Sequence, residues 1–217
     1  MNTKFDAYLF DLNGTIIDDM QFHARAWHEI LTQELKSKIT FDETILQMYG
    51  KNQELLERVF GKGHFTQQQM DDFSMEKERR YQSAFKPHIK LIAGLDVFLE
   101  KAHKAGIKMA IGSAAIPFNI DFILDNLNLR KYFPVVVSAD DVVLSKPDPE
   151  TFTKAADLLG VEYSKCLVFE DAPKGVEAAK NAGMQALAIT TLHTAEEFSV
   201  TDNVIQFVKN YNGLPLF

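Results

Sequence analysis

Residues 7–15 read Ala-Tyr-Leu-Phe-Asp-Leu-Asn-Gly-Thr. A short apolar run that breaks off at an acid and an Asn-Gly pair reads as a buried strand, here within residues 5–11, followed by a tight turn. The same pattern recurs. IKMAIGS ends at Ser113, PVVVSA is followed a few residues later by Lys146-Pro147, CLVFED ends at Glu170-Asp171, and MQALAIT is a further strand. Helical patterns separate them: Gly94 to Ala105, Asn119 to Leu127, Glu150 to Leu159 and Lys174 to Asn181. Asp148 is expected to cap the third of these, with Pro149 at its first position. Alternating strands and helices imply a doubly wound α/β core, a parallel sheet covered on both faces. An acid, a hydroxyl, a cation and an acidic pair then lie near the carboxyl ends of strands, where such sheets bind ligands.

Residues 18–85 follow a different rule. MQFHARAWHEILTQEL places Met20, Ala24, Trp27, Ile30, Leu31 and Leu35 on one helical face. ETILQMYG, NQELLERVFG and QQQMDDFSMEKERRYQSAF continue as three more helices, with Gly50, Gly61 and Gly63 as breaks. The expected organisation is an α/β core of residues 1–17 and 86–217, with an all-helical cap inserted at 18–85.

Composition narrows the function. A net charge of -7 argues against a nucleic-acid partner, because phosphate backbones select basic faces. No apolar stretch is long enough to span a bilayer, so no membrane partner is expected. The start MNTKFDAYLF lacks a signal-peptide pattern, and the single Cys166 excludes an intrachain disulfide. A cytoplasmic monomer with a buried structural thiol is expected.

Singly, the polar residues have plain readings: Asp11 as a turn cap, Ser113 as a turn residue, Lys146 as a solvated lysine. Jointly they suggest phosphoryl transfer. Clustered carboxylates at Asp11 and Glu170-Asp171 are costly unless a cation sits among them. An oxygen-rich set suits Mg²⁺, which keeps several waters and shares oxygens with a phosphate. Lys146 would balance the remaining charge, and the small residues after Ser113 leave backbone N–H groups accessible to an anion.

In this order, FDLNGT, the serine of IGSAA, the lysine of SKPDPETF and the acidic pair of FEDAPKGVEAAKNAG resemble the haloacid dehalogenase-like phosphatases, especially their β-phosphoglucomutase-like branch. The resemblance covers essentially the whole chain. It implies that Asp11 is a nucleophile that becomes phosphorylated. It implies Mg²⁺ held by Asp11, the Asn13 backbone carbonyl and Asp171, with Glu170 beside it. Ser113, the Ala114 backbone and Lys146 would hold the transferring phosphoryl group. In the cap, DDMQFHARAWHEIL is similar to the mutase's cap entry and puts His23 and Arg25 at matching positions, with Lys77 matching an active-site lysine. After Gly50, where the mutase pattern expects an arginine for a substrate phosphate, the chain has KNQE. Lys51 is an imperfect substitute there and Gln53 carries no charge.

Asn13 departs from the family pattern, which has an aspartic acid there to protonate the leaving oxygen and then activate water. A carboxamide has no proton to exchange near neutral pH. The residue is either an engineered trap or a natural variant with altered chemistry. The leading expectation is Mg²⁺-dependent hydrolysis of a small phosphorylated metabolite, a sugar phosphate, with Asp11, Asn13 and Lys146 as the catalytic positions. A β-phosphoglucomutase-like phosphotransferase and a non-catalytic phosphometabolite-binding protein are the alternatives.

Overall fold

The computed structural model describes residues 4–217, which divide into two compact units: residues 4–18 with 90–217, and residues 19–89. The first unit is built on β1 (Ala7–Phe10), β2 (Lys108–Gly112), β3 (Val135–Val137), β4 (Cys166–Glu170), β5 (Gln185–Ile189) and β6 (Val204–Val208). Every neighbouring pair is parallel, in the order β3-β2-β1-β4-β5-β6. The order reverses direction between β1 and β4. That is the switch point at which the loops leaving two strands part and open a crevice.

The side-chain period of two explains how β1 sits between two layers. Ala7 and Leu9 face a core with Phe152, Ala155, Ala178 and Ala179. Tyr8 and Phe10 face an aromatic layer instead. Tyr8 stacks on Phe98 at 5.7 Å and Phe10 stacks on Phe169 at 4.4 Å. Burying one such ring contributes about 1.5–3 kcal/mol, whereas an exposed pair such as Arg130–Asp121 is screened by solvent and contributes little. The two apolar layers therefore fix the sheet.

The helices of this unit are α5 (Leu95–Lys104), α6 (Pro117–Asn126), α7 (Glu150–Leu159) and α8 (Pro173–Asn181). α7 has the expected range, with Pro149 rather than Asp148 at the cap position. Asp148 still does capping work, since its Oδ1 accepts from the Glu150 N–H at 2.9 Å. Cys166 is buried, and burial followed by the nearby Asp6 pushes its thiol up to about 12, so it is unreactive.

The second unit holds α1 (Met20–Glu29), α2 (Phe41–Leu46), α3 (Asn52–Phe60) and α4 (Gln67–Phe85). α1 continues into a π-helical turn, Ile30–Glu34, so the expected single helix changes its hydrogen bonding part-way. Thr40 and Thr66 each form a capping box, with Glu43 and Gln69 respectively, which fixes where α2 and α4 begin. Trp27, Ile30, Leu31, Leu55 and Leu56 form the unit's own core. The unit extends through the 3-10 turn Lys86–His88, because Phe22 packs on both Phe85 and His88.

Since Trp27 is the sole tryptophan, its fluorescence reports the helical unit alone. Leu56→Ala should cost that unit about 2–5 kcal/mol. In urea, the tryptophan transition should move to lower concentration while the sheet unit's near-ultraviolet signal from its tyrosines moves less. Equal shifts of both signals would show that the two units unfold as one.

Candidate active site

The end of β1 continues its ladder for one residue: the Asp11 N–H donates to the Phe169 carbonyl at 2.9 Å. Ser113 does the same after β2, donating to Val137 at 2.9 Å. Both side chains thus leave the sheet at its carboxyl edge, on rigid backbone. Asp11, Ser113, Glu170 and Asp171 are all buried.

Lys146 ties these strand ends together. Its ammonium donates to Asp11 Oδ1 at 2.7 Å, to Glu170 Oε1 at 2.7 Å and to the Gly112 carbonyl at 3.1 Å. Three donors meet three acceptors from β1, β4 and β2, and Phe152 lies under the ammonium at 4.6 Å. Burial pulls the Lys146 ammonium down, but Asp11 and Glu170 together outweigh it and hold it above the ordinary lysine range.

The acids are less evenly served. Burial raises Asp11 to about 7, with Lys146 opposing the rise and Glu170 adding to it. Asp171 is also raised well above the ordinary carboxylate range, by burial first and then by Glu170 and Asp11. Asp171 accepts from Thr15 Oγ1 at 3.3 Å. Gly14 has φ +76, and a Cβ there would lie 2.0 Å from Asp171 Oδ2. Only glycine lets the turn come this close to the acid.

Glu170 has both of its oxygens taken by neighbours. One oxygen takes Lys146, and the other accepts the Asp171 and Ala172 N–H groups, each at 2.8 Å. A Cβ on Gly175, in the first turn of α8, would lie 1.8 Å from Glu170 Oε1. With both oxygens engaged, Glu170 braces Lys146 and the loop after β4. Among the described residues no three His, Cys, Asp or Glu side chains group as a metal cage. What remains at the strand ends is the pair Asp11 and Asp171.

Ser113 Oγ accepts from the Ala115 N–H at 3.1 Å, which curls the Ala114–Ala115 backbone beside the end of β2. Asn13 is half-buried in the turn, paired as an isolated bridge with Ile17, whose carbonyl accepts from Gly14 at 2.7 Å. Two supports had no sequence signal. Thr191 Oγ1 donates to the Gly14 carbonyl at 2.6 Å, and the Tyr211 hydroxyl donates to the Thr15 carbonyl at 3.0 Å. Each is a single hydroxyl in an irregular segment with no motif around it.

The other candidates belong to the helical unit, where His23 and Lys77 share a buried cluster around Glu78. His23 is buried, not at the surface, and its ring stacks on Tyr81 at 3.7 Å. Its Nε2 lies 3.3 Å from Asp19, and its Nδ1 lies 3.9 Å from Glu78. Lys77 is only 4% exposed and donates to both oxygens of Glu78 at 3.0 Å. Asn52 donates to Glu78 at 2.7 Å, and Gln53 donates to Asp71 at 3.2 Å. Arg25 is exposed on α1, and Lys51 is half-buried at the start of α3.

The raised carboxylates set a sign for pH. Unfolded, Asp11 ionises near 3.8; folded, near 7. Between these values the unfolded chain binds fewer protons, so this group's contribution to stability falls as pH rises. Asp171, raised in the same direction, adds to the loss. Asp171→Asn should therefore melt higher than the parent at pH 8 in chelator. The two should converge near pH 4. A parent that melts as high as the variant at pH 8 would contradict the assignment.

Comparison with known proteins fits this geometry. The family model described as haloacid dehalogenase-like hydrolase matches residues 8–189. The chain is 30% identical over 195 residues to fructose-1-phosphate phosphatase YqaB of Escherichia coli, covering 88% of this chain and 100% of that protein. It is 32% identical over 192 residues to β-phosphoglucomutase of Bacillus subtilis, covering 84% and 82%. A crystal structure of a haloacid dehalogenase family IA, variant 3 hydrolase from Entamoeba histolytica superposes with a TM-score of 0.87 at 28% identity, covering 97% and 96%. The chain is thus an enzyme of the haloacid dehalogenase-like hydrolase family, on its β-phosphoglucomutase-like branch.

Proposed function

We propose that this enzyme hydrolyses a small phosphorylated metabolite, a sugar monophosphate, through a phosphoryl group carried on Asp11. The observation that carries the reading is the charge balance at the strand ends, where Asp11, Glu170 and Asp171 are buried around the one ammonium of Lys146. Such a site favours a divalent cation and a phosphate together.

The residues fit Mg²⁺. It needs few protein oxygens because it keeps most of its waters. Asp11 and Asp171 supply two carboxylates, and their raised proton affinity signals a deficit of positive charge. The Asn13 carbonyl is the third oxygen we assign. When bound, the ion would neutralise charge on the transferring phosphoryl group. Lys146 holds Asp11 in place and offers a second positive charge to the same group. The Ala114 backbone and Ser113 would cradle the phosphoryl oxygens. Catalysis of this kind rests mainly on positioning and charge.

The helical unit serves, in this reading, as a cap that excludes water. The stretch KNQE after Gly50, where the mutase pattern has an arginine for a second phosphate, favours a monophosphate hydrolase over a mutase. Asn13 supports one other reading, a protein that binds a phosphometabolite without turning it over. The retained Asp11–Lys146 pair supports the enzyme.

Asn13 predicts which substrates react. An aryl phosphate loses a stable anion unaided, whereas a sugar alkoxide needs a proton that a carboxamide cannot give. The missing acid costs about 10²–10⁴-fold, and it is missed again when water attacks phospho-Asp11. An aryl phosphate should give a burst of phenol followed by slow turnover. Asn13→Asp should speed sugar-phosphate hydrolysis by about 10²–10⁴-fold and change the burst less. Equal rates for the two proteins on a sugar phosphate would mean that another residue supplies the proton.

A further inference from the structure

The chain after β5 and after β6 returns to the turn that follows β1. Thr191 reaches the Gly14 carbonyl across 177 residues of sequence, and Tyr211 reaches the Thr15 carbonyl across 196. Neither hydroxyl touches an acid of the site by hydrogen bond. Both hold the backbone of the two residues that do touch Asp171: Thr15 through its hydroxyl, and Gly14 through the space its missing Cβ leaves.

The geometry of Tyr211 is that of a fixed strut. The residue is 2% exposed. Its ring lies 5.6 Å from Phe98 and 6.1 Å from Phe169, and its N–H donates to the Ala93 carbonyl at 2.9 Å. The neighbouring Asn212 backbone is held in turn by Gly94, where a Cβ would lie 2.6 Å from the Asn212 nitrogen. The hydroxyl therefore has little freedom except to meet the Thr15 carbonyl. Thr191 follows β5, whose pairing with β4 runs to Ala188 opposite Glu170. Both supports are anchored to the same rigid sheet that carries Asp171.

We propose that Thr191 and Tyr211 are positioning residues for Asp171. They pin the Gly14–Thr15 turn from one side, so that its other side holds the Asp171 carboxylate in one orientation. That carboxylate lies among like charges and would otherwise turn away from them. Held in place, it is ready to bind a cation without first being ordered. The inference rests on the reading of Asp11 and Asp171 as Mg²⁺ ligands.

Thr191→Val and Tyr211→Phe each remove one hydroxyl and keep the volume. Titration calorimetry with Mg²⁺ alone should show binding weakened about 10–100-fold in each, the usual effect of losing a support to a metal ligand. The double variant should be weaker than either. With an aryl phosphate, the loss should appear in the Mg²⁺ concentration that gives half the maximal rate, more than in the rate at saturation. Thr191→Ser, which restores the hydroxyl, should recover the affinity. Variants that melt lower but bind Mg²⁺ as the parent does would overturn the proposal, because a merely structural role predicts that result. Asp171→Ala, run alongside, separates the two levels. If the parent binds and Asp171→Ala does not, the cation reading stands and the hydroxyl variants judge the positioning alone. If the parent binds no Mg²⁺, both fall.

Discussion

Three carboxylates and one ammonium are buried together at the carboxyl ends of β1 and β4, and the charges do not balance. Lys146 satisfies Asp11 and Glu170 but leaves Asp171 facing both acids. A folded chain tolerates such a cluster at a cost in stability, offset here by the aromatic layer under Tyr8 and Phe10 and the small-residue layer under Ala7 and Leu9. The cost is also the source of the proposed chemistry. In the proposed function a site short of positive charge would draw a cation, and the cation and Lys146 together would draw a phosphate. The switch point of the sheet decides where this happens, because only there do the loops after adjacent strands diverge.

Much of this was legible in the sequence because it is written in local pattern. Buried parallel strands are continuous apolar runs, and AYLF, KMAIG and CLVFE each stop at the polar residue that matters. β6 was not legible. VIQFV is an edge strand that is only half-buried, and Gln206 interrupts its apolar pattern. The π-helical turn after α1 leaves the apolar spacing intact, so periodicity could not reveal it.

The site divides in the same way. Asp11, Ser113, Lys146 and Asp171 each follow a strand or lie in a short motif. The motif places Glu170 beside the metal-like acid and says nothing of what its oxygens touch. Those partners, the Asp171 and Ala172 N–H groups and Lys146, appear only in three dimensions. Gly175 carried the clue, since a glycine in the first turn of α8 is explained by the room that the Glu170 side chain takes. His23 and Lys77 were picked out by resemblance. Their surroundings in the helical unit, a buried network with Asp19, Asn52, Glu78 and Tyr81, are a product of packing that no motif encodes.

The central claim is that Asp11 is the nucleophile that takes up the phosphoryl group. Slow release, expected from Asn13, should let a phosphoryl-aspartate accumulate during turnover of an aryl phosphate with Mg²⁺. Quenching the reaction and reducing it with borohydride converts such an acyl phosphate to homoserine, and peptide mass spectrometry locates the change. The account predicts homoserine at position 11, present with Mg²⁺ and substrate and absent when either is left out. Phosphate release that proceeds with position 11 unmodified, or with the label on another residue, would contradict it.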